Sequence, residues 1–312
     1  MSVPKVSVVI PAYNAARFIV GTLETIRAQT FNDHETVVVD DGSSDDTKAV
    51  VDAFLSRHGL AGTCIRQSNK RIAGARNTGM RAARGEFIAL LDHDDLWYPE
   101  KLAKCMCAFA EHPEVDLVGH HIDILRNGRR LRTARKGPAA PDMYETLLLK
   151  GNALAPSAAV FRKEKALSIG GFRENPEFNT VEDYDFWMRL SRVARFHFID
   201  EALAGYAVVD DSASSRVDYH HGNLETLLRE HFASRFGPHP DLLQRLRMRR
   251  RLSAVYRSAL GQLLAADVPQ SKRTEYALKM LRAFPCDAKN LVRTVQWILA
   301  WRPVRPGPKP AP

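Results

Sequence analysis

Short apolar runs and helical stretches take strict turns along the first ninety-odd residues of this chain. Val6 to Ile10, Thr36 to Val39, Thr63 to Arg66 and Phe87 to Leu91 read as strands. Between them, Ile19, Leu23 and Ile26 recur at helical spacing; Val50, Val51, Phe54 and Leu55 mark a second helix, and Ala75 to Ala83 a third. Strand and helix in alternation require right-handed crossovers, so the expected class is α/β with a mostly parallel sheet. Phe87 to Leu91 is unbroken by any polar residue, the pattern of a strand covered on both faces.

The distinctive polar residues all follow strand C-termini: Pro11 to Asn14, Asp40 and Asp41, and Asp92 to Asp95. That edge is where open α/β sheets bind ligands. Asp92, Asp94 and Asp95 crowd together, and mutual repulsion makes such a group best suited to a hard divalent cation, Mg²⁺ or Mn²⁺, with a phosphate beside it. A solvated acidic turn leading into a helix cap has the same local sequence. Gly42 permits a tight turn, and Ser43, Ser44 and Asp45 offer capping side chains to the next helix.

No run approaches the roughly eighteen apolar residues of a spanning helix, and Met1 to Lys5 lacks a signal-peptide pattern. A cytoplasmic location is expected. Cys64, Cys105, Cys107 and Cys286 have no zinc-ligand spacing and read as buried or idle thiols. The net charge of +9 calls for anionic partners. Arg245, Arg247, Arg249, Arg250, Arg251 and Arg257 are offset nearby only by Asp241. They make either a solvated helix face or a contact for an anionic membrane surface. No nucleic-acid reader accompanies them, so nucleic acid is not an expected partner. The absence of Gly-x-Gly-x-x-Gly after the first strand disfavours a dinucleotide oxidoreductase.

Further along, Gly128 to Pro141 is basic and rich in turn formers, the composition of a mobile surface loop. Ser157 to Phe161 reads as a strand, Gly170-Gly171 as a turn and Val181 to Leu190 as a helix. After Gly222 only helical periodicity remains, broken around Gly237 to Pro240. The expected organisation is an α/β domain over 1–220, a helical region over 221–301 and a disordered proline-rich tail over 302–312. Leu291, Val292, Val295, Ile298 and Leu299, with Trp297 and Trp301 flanked by Arg293 and Arg302, fit a helix lying at a bilayer interface or one packed on the catalytic domain.

Five motifs occur in order: Val6 to Asn14, Val37 to Asp45, Ala75-Arg76-Asn77-Thr78-Gly79, Leu91 to Asp95, and Glu182-Asp183-Tyr184-Asp185-Phe186-Trp187. Together, over residues 4–216, they resemble glycosyltransferase family 2. The resemblance implies a GT-A fold, Rossmann-like, with a mostly parallel central sheet, helices on both faces and here a helical C-terminal region. It also implies a nucleotide-diphosphate sugar donor, a UDP-sugar by class, a divalent metal (Mn²⁺ or Mg²⁺) and inversion at the anomeric carbon. By the same resemblance Pro11, Ala12, Tyr13 and Asn14 form the loop under the nucleobase, Tyr13 stacking. Asp40 or Asp41 accepts from a base N–H, Asp40 being favoured, and Arg76 lies near the base or diphosphate. Asp92 and Asp94 are the two carboxylates of the Asp-x-Asp motif, Asp92 at the ribose and the metal, Asp94 on the metal. His93 occupies its variable, solvent-facing position beside the donor, and Asp95 supports or caps. Asp183 is the base and Glu182 its support; Trp187 and Phe172 line the acceptor side. The acceptor class is a saccharide or lipid-linked saccharide of a cell-surface polymer, with possible peripheral membrane contact through the basic C-terminal helices. The pattern departs at Lys70-Arg71, where the family carries small residues. It departs again after Tyr206, where Ala207 replaces an arginine that Arg216, His220 or His221 would have to supply. A nucleotide-sugar-binding module that has lost catalysis is the competing class.

Overall fold

The computed structural model describes residues 3–207, 217–265 and 268–300. The chain divides into two compact units, Met1–Ala213 and Ser214–Pro312. The first begins with the alternation expected: β1 (Val6–Ala12), α1 (Ile19–Arg27), β2 (His34–Asp40), α2 (Thr47–His58), β3 (Gly62–Arg66), α3 (Arg71–Ala82) and β4 (Phe87–Leu90). It continues through β5 (Leu96–Trp97), α4 (Lys101–Glu111), β6 (Leu117–Arg126), β7 (Arg129–Ala134), α5 (Met143–Lys150), β8 (Ala159–Arg162), α6 (Lys163–Ser168), α7 (Glu182–Leu190) and β9 (Phe196–Ala207).

Among the described residues, all nine strands form one sheet, in the order β3-β2-β1-β4-β8-β6-β9-β5, with β7 added to β6. From β3 to β4 it is parallel, with Ala12 opposite Asp40 and Val9 opposite both Val37 and Leu90. The loops after these strands therefore leave from one edge. Beyond β4 the sheet is mixed: β8 runs antiparallel to β4 and β6, β9 parallel to β6, and β5 antiparallel to β9. An antiparallel neighbour needs no crossover helix, so the parallel character ends where the regular alternation of strand and helix ends.

Val6, Val8 and Ile10 join Ile19, Leu23, Ile26, Val38 and Leu102 in one buried cluster. Each such side chain contributes about 1.5–3 kcal/mol when fully removed from water. Val9 points to the opposite face, where α3 packs. A Cβ added at Gly79 would stand 2.3 Å from Val9 Cγ1. Gly79 thus sets how closely α3 approaches β1 and β2.

Two expectations change. The segment Gly128 to Pro141 is not a free loop: Arg129–Ala134 pairs antiparallel with β6. Asn127 and Gly128 both have positive φ, the two-residue turn that matches the twist of a hairpin. The strand escaped a periodicity reading because its residues are mostly exposed and present no apolar alternation. Asp45 caps α2 as expected, its Oδ1 accepting from Thr47 N (3.1 Å), but Ser43 and Ser44 do not. Ser43 Oγ accepts from Asn14 N (3.0 Å), Ser44 N donates to Asn14 Oδ1 (2.9 Å), and Asp45 Oδ2 accepts from Ala16 N (3.1 Å). They fasten the loop after β2 to the loop after β1.

The second unit comprises α8 (Val217–Phe236), α9 (Leu242–Ala265), α10 (Gln270–Ala283) and α11 (Ala288–Leu299). The break expected near Gly237 falls between α8 and α9, with Gly237 at φ +70°. Among the described residues no helix is long and apolar enough to cross a membrane. Cys64 and Cys105 are buried, Cys107 and Cys286 exposed, and all four are free thiols. Trp301 and the tail 302–312 lie outside the described residues.

The packing at Gly79 yields a direct expectation. Gly79→Ala should lower stability by about 1–3 kcal/mol through overpacking against Val9, read as a fall in the urea midpoint at constant slope.

Candidate active site

The cross-bonded loops after β1 and β2 wall a cavity of about 230 Å³, lined by Pro11, Ala12, Tyr13, Asp41, Asn69, Arg71, Ile72, Ala75 and His93. Whole small-molecule sites occupy about 300–1,000 Å³, so this space suits one part of a ligand, such as a planar base. Tyr13 is 50% exposed and offers its ring. Asn14 sits at φ +49°, a left-handed conformation that asparagine tolerates, and its side chain is engaged by Ser44. His93, expected to face solvent, instead borders the cavity, with Nδ1 3.2 Å from the Pro11 carbonyl.

Asp40, favoured on sequence for the base, is wholly buried, and its Oδ1 accepts from Ser43 N at 2.9 Å. Asp41 is the carboxylate that borders the cavity. It is fixed by Gln67 Nε2 (2.6 Å) and by Lys70 N (2.8 Å). The correction follows from position: Asp40 is still a strand residue, while Asp41 begins the loop. Of Lys70 and Arg71, Arg71 borders the cavity, and Lys70 reaches its wall through its backbone N on Asp41.

Behind this cavity, Asp92, Asp94 and Asp95 follow β4. Burial first, opposed by His93 and reinforced by Asp92, raises the Asp94 carboxyl above its ordinary range. Burial and then the Asp92 charge raise Asp95 further. Ser157, fully buried at the start of the turn before β8, organises the pair. Its Oγ–H reaches Asp95 Oδ2 at 2.5 Å, while the same oxygen accepts Asp92 N at 3.0 Å. Its carbonyl accepts from Trp97 Nε1 at 2.8 Å. Tyr206, at the end of β9, is raised by burial and then by Asp95, Asp94 and Asp92, placing its hydroxyl within their field. These hard oxygen donors, disfavoured from ionising together, fit a divalent cation. Among the described residues no three carboxylate, imidazole or thiolate groups form a ready-made metal cage. That matches Mg²⁺-type sites, in which one or two carboxylates act with phosphate oxygens and water.

Arg76, expected beside the base or diphosphate, is instead buried and committed to the protein. It donates from NH2 to Asp92 Oδ1 and from NH1 to Glu182 Oε1, both at 2.8 Å. Burial opposes its charge, but the two carboxylates outweigh that and raise its pKa. Glu182 and Asp183 open α7, where the helix dipole favours negative charge. Asp183 is raised by burial, against the pull of Arg76 and of Tyr184 N, with Asp92 adding to the rise. Its Oδ2 accepts from Asn152 Nδ2 at 3.2 Å. Lys136, after β7, is half-buried; burial lowers its pKa and Asp183 is the main charge opposing that.

Trp187 and Phe172 do not line an acceptor surface. Both are buried: Phe172 stacks on Phe186 with centroids 4.1 Å apart, and Trp187 meets Phe186 at 5.0 Å. They hold α7 in place, as do Asp185, which accepts from Arg173 Nε at 3.1 Å, and Arg189, which donates from NH2 to the Gly171 carbonyl at 2.8 Å. Of the groups proposed to replace the arginine after Tyr206, Arg216 lies outside the described residues. His220 and His221 belong to α8 in the second unit, with His221 Nδ1 on the Val217 carbonyl at 2.9 Å. Ser157, Asn152 and Lys136 were missed on sequence. Only Lys136 gave any signal, as part of a basic run.

The family model for Glycosyl transferase family 2 matches residues 7–169. The chain belongs to glycosyl transferase family 2. Among relatives of this transferase are an uncharacterized glycosyltransferase of Nostoc sp., 34% identical over 51% of this chain and 51% of that one, and chondroitin synthase of Escherichia coli, 31% identical over 64% of this chain and 28% of that one. The chain thus spans about half the length of the first and just over a quarter of the second. S. aureus TarS 1–349 in complex with UDP superposes with a TM-score of 0.66 at 20% identity, covering 95% of this chain and 88% of that one. Mannosyltransferase PcManGT from Pyrobaculum calidifontis, in complex with GDP-Man and Mn²⁺, gives 0.58 at 22%, covering 96% and 86%. These likenesses are of fold: the family 2 transferase has a GT-A fold with a helical C-terminal region.

Ser157→Ala should strip a buried carboxylate of its donor and cost about 1–3 kcal/mol. Urea unfolding checks that figure. Asp92 N loses its acceptor in the same variant, so the loop after β4 should also exchange its amide hydrogens faster.

Proposed function

We propose that this protein is an inverting transferase that moves a sugar from a nucleotide-diphosphate sugar, a UDP-sugar by class, to a hydroxyl of a saccharide or lipid-linked saccharide in the cytoplasm. Tyr13 stacks on the base, Asp41 accepts its N–H, and Arg71 borders the same cavity. Asp94 and Asp92 would hold Mn²⁺ or Mg²⁺, which when bound offsets charge on the departing diphosphate. TarS with UDP or UDP-GlcNAc and PcManGT with GDP-Man and Mn²⁺ support a nucleotide-sugar donor and a divalent ion. Chondroitin synthase supports a saccharide product.

The observation that carries the reading is the Arg76 bridge, which ties the donor-side carboxylate Asp92 to Glu182, the immediate neighbour of Asp183. It supports the reading because it ties the residue beside the carboxylate proposed as base to a carboxylate proposed to meet the donor. The acceptor oxygen bonds to the anomeric carbon as the carbon–oxygen bond to phosphate breaks, and that electron pair leaves on the diphosphate. The hydroxyl proton passes to an Asp183 carboxylate oxygen. A base on the face opposite the leaving group needs one displacement, hence inversion.

Asp183→Asn should reduce transfer by about 10²–10⁴-fold with nucleotide binding, read by thermal shift, retained. Wild-type binding without turnover over a panel of nucleotide sugars and saccharide acceptors would instead leave a binding module. Because the base works deprotonated and burial raises its pKa, kcat/KM should fall as pH falls through a value above the ordinary aspartate range of about 3.9. Nucleoside diphosphate with Mn²⁺ should raise Tm in proportion to the logarithm of its concentration over its Kd. Asp94→Asn should abolish the Mn²⁺-dependent part of that rise.

A further inference from the structure

Helix α11 is amphipathic the wrong way round for a surface helix. Its inward stripe is polar: Asn290 is fully buried and donates from Nδ2 to Ser253 Oγ (2.8 Å) and the Phe284 carbonyl (2.6 Å), while its Oδ1 accepts from Arg257 NH1 (2.8 Å). Arg293, one turn on, lies against α9 at Gly261, and Thr294 and Trp297 are half-buried on the same stripe. The outward stripe is Leu291, Val292, Val295, Ile298 and Leu299, each between 54% and 79% exposed. Surface helices ordinarily turn such a stripe toward the core. A contiguous exposed apolar stripe marks a contact with something else.

The charge around it says what. The helix itself carries Lys289 and Arg293 and no acidic residue, and α9 carries six arginines and no acidic residue. Arg245 and Arg250 are exposed, and among the described residues neither has an ion-pair partner. A second copy would bring this positive charge against itself. An anionic lipid surface takes both features at once, since acyl chains accept the apolar stripe and headgroup phosphates attract the cations. At twelve residues the helix is about 18 Å long, well short of the roughly 30 Å hydrocarbon core, so it lies in the interface.

We propose that α11 docks the protein on an anionic bilayer, its Leu291–Val295–Leu299 stripe embedded at the headgroup boundary and the arginines and lysines of the second unit drawn to lipid phosphate. The inference stands on the second unit alone and survives failure of the transferase reading. If both hold, the catalytic unit is kept where a lipid-linked acceptor resides.

Sedimentation of the full chain with phosphatidylcholine vesicles, with and without phosphatidylglycerol, tests it. Wild type should partition onto the anionic vesicles, weakly onto neutral ones, and release as salt rises. Val295→Glu/Leu299→Glu should lose about tenfold or more of that partitioning, with unchanged Tm and unchanged Mn²⁺-dependent stabilisation by nucleoside diphosphate. Val295→Trp should bind more tightly than wild type, with its emission shifted to the blue only when anionic vesicles are present. Equal partitioning of wild type and the double variant would overturn the proposal, as would no binding by wild type. So would concentration-dependent dimerisation that the double variant abolishes without vesicles.

Discussion

A single buried guanidinium joins the parts of the catalytic unit that must stay in register. Arg76 rises from α3, meets Asp92 after β4 on one side and Glu182 at the head of α7 on the other. Taking a guanidinium and its carboxylates out of water is expensive, and only good geometry with complementary hydrogen bonds repays it. Removing either partner leaves an uncompensated charge, so the two carboxylates are bound to each other's position through the arginine. The rest of the Ala75–Gly79 motif works on the same joint. Asn77 clasps the backbone of Phe172, donating to its carbonyl and accepting from its amide at 2.8 Å each, and Gly79 lets α3 close on β1. One short helix thus carries the link from sheet to α7.

The arithmetic of charge around this joint explains the electrostatics of the site. Asp92, Glu182 and Asp183 crowd one buried cation, and burial together with mutual repulsion, opposed by Arg76, raises Glu182 and Asp183. Burial and mutual repulsion likewise raise Asp94 and Asp95, opposed at Asp94 mainly by His93 and at Asp95 by the Ser157 hydroxyl. A folded protein keeps such a cluster at a cost to stability, the usual mark of a site arranged for binding or chemistry rather than for packing.

Much of this was legible in the residue order, and the limits have physical causes. Strands β1, β2 and β4 announced themselves because a strand covered on both faces must be apolar throughout, and the parallel order then placed their trailing loops on one edge. Which of two adjacent aspartates faces the cavity depends on where β2 stops, and a strand end shifts by a residue without altering composition. The burial of Arg76 depends on Glu182, 106 positions away, and no local pattern encodes that pairing. Trp187 and Phe172 look like ligand aromatics beside acidic residues. Yet Phe186, Trp187 and Leu190 form the inner stripe of α7, and a helix with an acidic head still buries its apolar side. For α11 the composition left packing and interface equally open. Within the second unit the direction is set by contacts no periodicity encodes: the buried Asn290, bonded to Ser253, Phe284 and Arg257, fixes which stripe faces in.

Asp183, the proposed base, illustrates how the fold tunes one group through several others. A carboxylate at an ordinary pKa is a poor acceptor for an alcohol proton, and a base strengthens as its pKa approaches the working pH. Burial supplies that rise, the Arg76 charge limits it, and Tyr184 N and Asn152 hold the oxygens in place. Lys136 adds a second, adjustable cation on the β7 side, its own pKa lowered by the same burial. Full exposure would remove the burial that raises Asp183, and burial without Arg76 nearby would raise it further. The joint that holds α7 to the sheet is therefore also what keeps the proposed base between those limits, so in the proposed reaction structural integrity and proton transfer rest on one arginine.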